Sequence, residues 1–283
     1  LFRITKRIFK SDFWYFFFKQ KKSILGFSII IILCFAALCA PWIAPNDPLE
    51  VNIANKLQHP NAQYWLGTDN LGRCVVSRLI FGTRNSLFYS VIVLIITLGI
   101  GIPIGMVSGY IGGKVDLVMM RIIDLVLALP SFMVALAIAG VLGPSTKNML
   151  LAMCMVWWSG YARFFRGLTI QMKESDYIMA AISGGCSHIQ IIFRHLLKNM
   201  IPPIIILATL EIGSIILAIA TFSFIGLGIQ PPIPEWGIML SDSKDYLQSY
   251  PQLMFYPGIV IVVTVMSFNL LGRGMRNAMQ TTK

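Results

Sequence analysis

Negative charge is scarce in this chain, with 12 Asp and Glu spread over 283 residues against 23 Lys and Arg. Histidine is scarcer, and His59, His188 and His195 are scattered. So few acids and imidazoles leave little material for an acid–base pair or a metal cluster. The five cysteines show neither the spacing of a zinc site nor a disulfide framework. Cys34, Cys39 and Cys154 lie inside apolar runs, where a thiol serves as a small buried hydrophobe. No G-x4-G-K-[ST] phosphate loop, no His-Glu-x-x-His and no G-x-S-x-G elbow occurs. These absences argue against catalysis, bound cofactor and metal ligation by this chain.

Apolar surface is what the chain has in excess. It is 56% hydrophobic and 12% charged, with a mean hydropathy of +0.73, too much for a water-soluble fold of this length. An all-α integral membrane protein is the expected class. A helix needs about 20 apolar residues to cross a bilayer. Runs of that order span Ile24–Ala44, Leu87–Val107, Leu125–Leu142, Ile204–Ile229 and Met254–Leu271, and a weaker one, Met149–Phe165, carries Arg163. Six transmembrane helices are expected. The first run follows basic residues but is too long for a secretory signal and lacks a small-x-small cleavage site before polar sequence, so it stays in the membrane.

The expected layout is a basic cytoplasmic tail (1–22), a first transmembrane helix (23–44), an extracytoplasmic loop (45–85) and a core (86–283). With both termini cytoplasmic, 17 of the 23 basic residues fall inside, as the positive-inside rule requires. The net charge of +11 is therefore a topology signal, and nucleic acid is not an expected partner. In the tail, Arg3, Lys6, Arg7, Lys10, Lys19, Lys21 and Lys22 alternate with Phe and Trp. Each charge near an anionic leaflet contributes about 1 kcal/mol, so membrane lipid is a partner.

Three blocks stand out. Residues 177–203, YIMAAISGGCSHIQIIFRHLLKNMIPP, join small residues (Ala180, Ala181), a glycine pair (Gly184, Gly185) and a helical apolar pattern through Ile189, Ile192, Phe193, Leu196 and Leu197. They read as a tight turn before a short amphipathic helix set between apolar runs. Residues 65–87, WLGTDNLGRCVVSRLIFGTRNSL, hold glycines with Asp69, Arg73, Arg78 and Arg84, which suggests a turn-rich structure held by ion pairs. The third block, SFIGLGIQPPIPEWGIML, begins at Ser223.

The first block resembles the coupling segment of ABC-importer permeases, Glu-Ala-Ala, three residues, Gly, nine residues, Ile-x-Leu-Pro. Ala180, Ala181, Gly185 and Leu197 are in register, while Met179 stands at the glutamate, His195 at the isoleucine and Lys198 at the proline. The second and third blocks resemble signatures of the oligopeptide, dipeptide and nickel branch, with Cys74 in place of an Asp. The resemblance implies a type I importer permease whose coupling segment (175–200) uses Met179, Ala180, Ala181, Gly184, Gly185, Ile192, Leu196 and Leu197 to engage an ATPase. It further implies a second homologous permease, two ATPases that carry ATP and Mg, an extracytoplasmic solute-binding protein, and a bacterial inner membrane. Pro202 and Pro203 suit the first turn of the next helix.

Glu211 is the one acid inside a long apolar run. A charge there costs roughly 2.5–3.5 kcal/mol, so it faces protein or water. It either lines the translocation path or fixes packing through Ser214, Thr209 or the other permease. Peptide-type members tend to place an acid eight positions later, at Ile219 here, whereas nickel-type members resemble this chain. The resemblance thus leans toward nickel, cobalt, zinc or a metal chelate, with di- or oligopeptide import as the alternative. A proton-coupled secondary transporter working through Glu211 is the reading from a different class. Gly101, Gly105, Gly109 and Gly113 form a close-packing stripe, Pro103 and Pro130 can kink their helices, and Arg121 and Asp124 can pair on one helical face.

Overall fold

The computed structural model describes residues 11–281, and the tail residues Arg3, Lys6, Arg7 and Lys10, together with Lys283, lie outside them. Helix α1 spans Ser11–Lys19 and α2 Lys21–Leu38. The first apolar run does not continue as one helix. The chain turns at Cys39 into a single turn, α3 (Ala40–Ile43), with Pro41 at its start, because proline cannot donate to the preceding turn. A 3₁₀ turn at Ile53–Asn55 and an isolated bridge between Thr68 and Cys74 order the following loop.

Helix α4 is long, Val75–Ile111, and passes Pro103 without a break. Next come α5 (Gly113–Val126) and α6 (Ser131–Leu142), bent by 71°. Pro130 stands at the start of α6 and fixes the bend there. The third crossing thus starts earlier than the run Leu125–Leu142 and includes the charged turns of α5. Helix α7 spans Thr146–Lys173 and α8 Asp176–Ser183. Helix α9, His188–Ile225, includes a π-helical stretch at Ile191–Leu196. It stops at Gly226, whose φ of 92° is the left-handed conformation that closes a helix. The short α10 (Trp236–Asp242) and long α11 (Gln252–Thr281) complete the chain. Pro202 and Pro203 lie well inside α9 and not in its first turn, because the π stretch joins the short amphipathic helix to the membrane helix without interruption.

Among the described residues four helices, α2, α4, α9 and α11, are apolar and long enough to cross a membrane, and the bent pair α5–α6, taken as one span, gives a fifth. With 28 residues α7 is long enough, about 42 Å, but too polar to qualify by composition. Its place is set by packing. Side chains added at Gly101, Gly105 and Gly109 would run into Tyr161, then Ala162 and Phe165, then Thr169. The near-constant register makes α4 and α7 parallel neighbours, with α5–α6 returning between them. The chain therefore traverses the bundle six times. Gly113 is not part of the stripe. It opens α5 at φ 57° with no neighbour close by, because α4 has already ended at the positive-φ Gly112.

One end of the bundle, the basic end, carries α1, α8 and the start of α9. The other, the loop end, carries residues 45–74 and α10. At the basic end α2 and α11 meet at Gly26 and Gly274, which face Ser267 and Ser23. The main core lies among α4, α6, α7 and α9, and a second gathers around Trp236 between α4, α9 and α11. Large apolar side chains on α2 (Ile31, Ile32, Phe35), α4 (Ile95, Ile96) and α11 (Ile259, Val262) remain exposed. A surface this apolar belongs in lipid or against another subunit.

Candidate functional site

The segment at the basic end is a helix, a turn and a second helix. Helix α8 ends in a pair of reverse bonds, Cys186 N–H to the Ala181 carbonyl (3.1 Å) and Gly185 N–H to Ile182 (3.0 Å). Gly185 takes φ 76°, which an L side chain adopts only with strain. Ser187 then caps α9 in a reciprocal box. Its hydroxyl accepts from Gln190 N–H, and the Gln190 side chain accepts from Ser187 N–H at 3.0 Å.

Burial sorts the residues singled out by sequence. Ile178 and Leu196 are completely buried, Ala181 and Ile191 nearly so, and Ile192 and Leu197 are half-buried. Leu196 is thus an inward anchor. The apolar surface open to a partner is Met179, Ile182, Ile189 (70% exposed) and Phe193 (66%). Ala180, Gly184 and Gly185 are exposed beside it. The apolar periodicity marked one amphipathic face, but the π stretch turns Ile189 and Phe193 outward and Leu196 into the core.

At mid-bundle Glu211 is half-buried, and its carboxylate accepts a 3.1 Å hydrogen bond from the Tyr161 hydroxyl on α7. This partner was not among those expected from sequence. Thr209 instead donates to Ile205 on its own helix, and Ser214 is exposed. Asp124 likewise pairs with Arg163 of α7 at 2.5 Å and not with Arg121. A guanidinium offered from a packed neighbour outweighs an i, i+3 contact worth a few tenths of a kcal/mol. Nearby, Arg166 holds Asp116 through two 2.5 Å contacts, fixing α5 to α7.

At the loop end the second and third sequence blocks meet. Arg73 donates to Asp69 (2.7 Å) and to Asp242 (3.0 Å), and Arg78, 1% exposed, lies 3.4 Å from Asp69 and 3.6 Å from Asp242. Two arginines facing two aspartates bind the loop to α10. Trp236, fully buried, lies against Gly82, where a methyl group would come within 2.8 Å of its ring, and its indole N–H donates to the Leu79 carbonyl. Asn85 donates to the Pro234 carbonyl at 2.7 Å. Glu235, also fully buried, accepts from Ser86 and from the N–H groups of Gly237 and Ile238, so it caps α10. Burial pushes its carboxyl above the ordinary range, while these donors and Ser223 favour the anion. Sequence reasoning marked both blocks but not their contact. The signal was a buried-size tryptophan in one block and a small-residue position, Gly82, in the other. Arg84 is exposed and stands outside this cluster of two arginines and two aspartates.

Among the described residues no three His, Cys, Asp or Glu side chains converge as a metal site. The arrangement has an exposed apolar surface at one end, an ion-paired cap at the other and Glu211 between them.

The profile of binding-protein-dependent transport system inner membrane components matches residues 101–281, and that of the N-terminal transmembrane domain of oligopeptide transport permease C matches residues 9–60. The chain is 40% identical to the dipeptide transport permease DppC of Alkalihalophilus pseudofirmus, over 92% of this chain and 86% of that protein. It is 38% identical to the nickel transport permease NikC of Escherichia coli, over 93% and 95%. The glutathione transport permease GsiD of Pectobacterium atrosepticum is 34% identical, over 95% and 89%. In a structure of the methionine ABC transporter MetNI in inward-facing conformations, one chain shares the fold, with a TM-score of 0.55 and 17% identity over 71% of this chain and 95% of that one. With a helical bundle, profile matches over residues 9–60 and 101–281 and relatives 40% and 38% identical over 92% and 93% of its length, the chain belongs to the ABC-importer permeases of the oligopeptide, dipeptide and nickel family.

Proposed function

We propose that this chain forms one half of a solute path and that ATPase subunits drive it through the surface of Met179, Ile182, Ile189 and Phe193. The observation that carries this reading is the exposure of those four side chains around a positive-φ glycine turn, while Ile178, Ile191 and Leu196 root the segment in the core. An apolar helix face of this kind suits a groove on a partner. In this reading ATP and Mg are held and hydrolysed by two separate ATPases, a second homologous permease completes the path, and an extracytoplasmic binding protein delivers solute to the loop end. The basic end is cytoplasmic, with both termini on that side of the inner membrane, because Lys19, Lys21, Lys22, Lys173, Arg273 and Arg276 cluster there. Rocking of the two permease halves gives alternating access.

The solute is small and carries a cationic group that Glu211 senses, either a metal cation or chelate or a peptide ammonium. Relatives named for nickel, dipeptide and glutathione transport support the peptide class as well as the metal class. Family membership displaces the proton-coupled secondary transporter.

Affinity purification of the tagged chain from mild detergent, with mass spectrometry of what accompanies it, tests the reading. A second permease and ATPases with phosphate-loop motifs are expected, and reconstituted ATP-dependent uptake of nickel against dipeptide then assigns the class. Recovery of the chain alone contradicts the reading.

A further inference from the structure

Helix α4 reaches both specialised regions. Its first turns carry Arg78, Gly82, Asn85 and Ser86 of the loop-end lock, and its last turn places Tyr110 beside the segment at the basic end. The Tyr110 hydroxyl shares a 2.9 Å hydrogen bond with Nδ1 of His188, the first residue of α9, its direction set by the imidazole tautomer. The two rings meet edge-on at 5.6 Å. Tyr110 is itself held from a third helix. Lys173 at the end of α7 donates to the Tyr110 carbonyl at 2.7 Å and places its ammonium 5.5 Å from the ring centroid. Around this contact lies a groove of about 550 Å³ lined also by Ile111, Ile182, Ile189 and Ile192. The Tyr110–His188 bond is therefore a polar bridge between α4 and the start of α9, beside the apolar core in which Met106 and Tyr110 of α4 join Ile178, Ile191 and Leu196 of the segment.

We propose that Tyr110 is a positioning residue of the transport cycle, through which displacement of the coupling segment is passed by way of His188 to α4 and so toward the loop-end lock. The inference rests on the proposed role of that segment. Tyr110 is buried and clamped, whereas His188 is exposed and belongs to the helix that carries Ile189 and Phe193. A hydrogen bond between a fixed and a mobile group transmits force only while it is made. Its loss lowers the solute moved per ATP without preventing either half from folding.

The test uses the complete transporter in proteoliposomes. Tyr110→Phe removes the hydroxyl and keeps the ring, so the ATPases should still co-purify while uptake per ATP hydrolysed falls roughly fivefold, the scale of one lost hydrogen bond. His188→Ala should cause a similar fall in that ratio, and the double variant should fall no further, since both changes break one contact. His188→Asn, which restores a side-chain partner, should recover most of the ratio. Native uptake per ATP in Tyr110→Phe, or losses that multiply in the double variant, would overturn the proposal. If Tyr110→Phe assembles poorly, His188→Ala, at the exposed end of the pair, gives the same decision. Failure of the native chain to recover any ATPase would instead count against the segment's proposed role.

Discussion

The loop end and the basic end are built by opposite rules. At the loop end the charged groups and the largest side chain are gathered into contacts within the chain. Arg73 and Arg78 meet Asp69 and Asp242, Glu235 caps α10, and Trp236 fills the space left by Gly82. At the basic end the segment 176–196 presents Ile189 and Phe193 to the outside and holds on through Ile178, Ile191 and Leu196. One region is closed within the chain, and the other leaves an apolar face that, on the proposed reading, an ATPase completes. Substitutions at the loop end should therefore cost stability, and substitutions at the basic end should cost transport.

Arg78→Ala should have the largest effect. It leaves Asp69 and Asp242 with half their positive partners in a buried setting, a loss of about 3–5 kcal/mol, seen as a lowered melting temperature of the purified permease. Gly105→Leu should follow. The added side chain meets Ala162 and Phe165 of α7, and overpacking of this kind costs about 1–3 kcal/mol. Melting and proteolysis should both show α4 loosened from α7. Gly185→Val sits on the other side of the comparison. Its φ of 76° costs a branched residue roughly 1–2 kcal/mol, a local strain that should leave membrane levels normal while uptake per ATP drops. Coupled uptake in that variant would remove the turn from the mechanism. Glu211→Gln should change stability least, within about 0.5 kcal/mol, because the amide oxygen still accepts from Tyr161. Uptake of a cationic solute should nevertheless fall, and unchanged uptake would make Glu211 a packing residue.

Much of this was legible in the sequence, for reasons that differ by element. Apolar runs announce crossings, so α2, α4, α9 and α11 stood out, and Gly184–Gly185 marked a turn because few other residues tolerate positive φ. Helix α7 was faint because its stability comes from the glycine face of α4 and not from its own hydropathy. The break at Cys39, the start of the third crossing at Gly113 and the continuation of α9 through Pro202 depend on tertiary context that a window average does not carry. Pairings were the least legible. Glu211 finds Tyr161, Asp124 finds Arg163 and Arg78 finds Asp242, each across more than thirty residues of sequence, and no local spacing encodes such a partner. The sorting of the coupling segment into Leu196 inside and Phe193 outside follows from the π stretch, which an ideal helical period does not anticipate.

On the proposed reading the exposed apolar face at the basic end is the ATPase-binding surface. The most direct measurement compares ATPase recovery with the tagged native chain and with Ile189→Asp/Phe193→Asp, normalised to the amount of permease in the membrane. Both side chains are largely solvent-facing, so the variant should keep its melting temperature to within the effect of a surface change, about 0.5 kcal/mol. A stable permease that no longer retains its ATPases is the expected result. Undiminished ATPase recovery with the charged variant would contradict it.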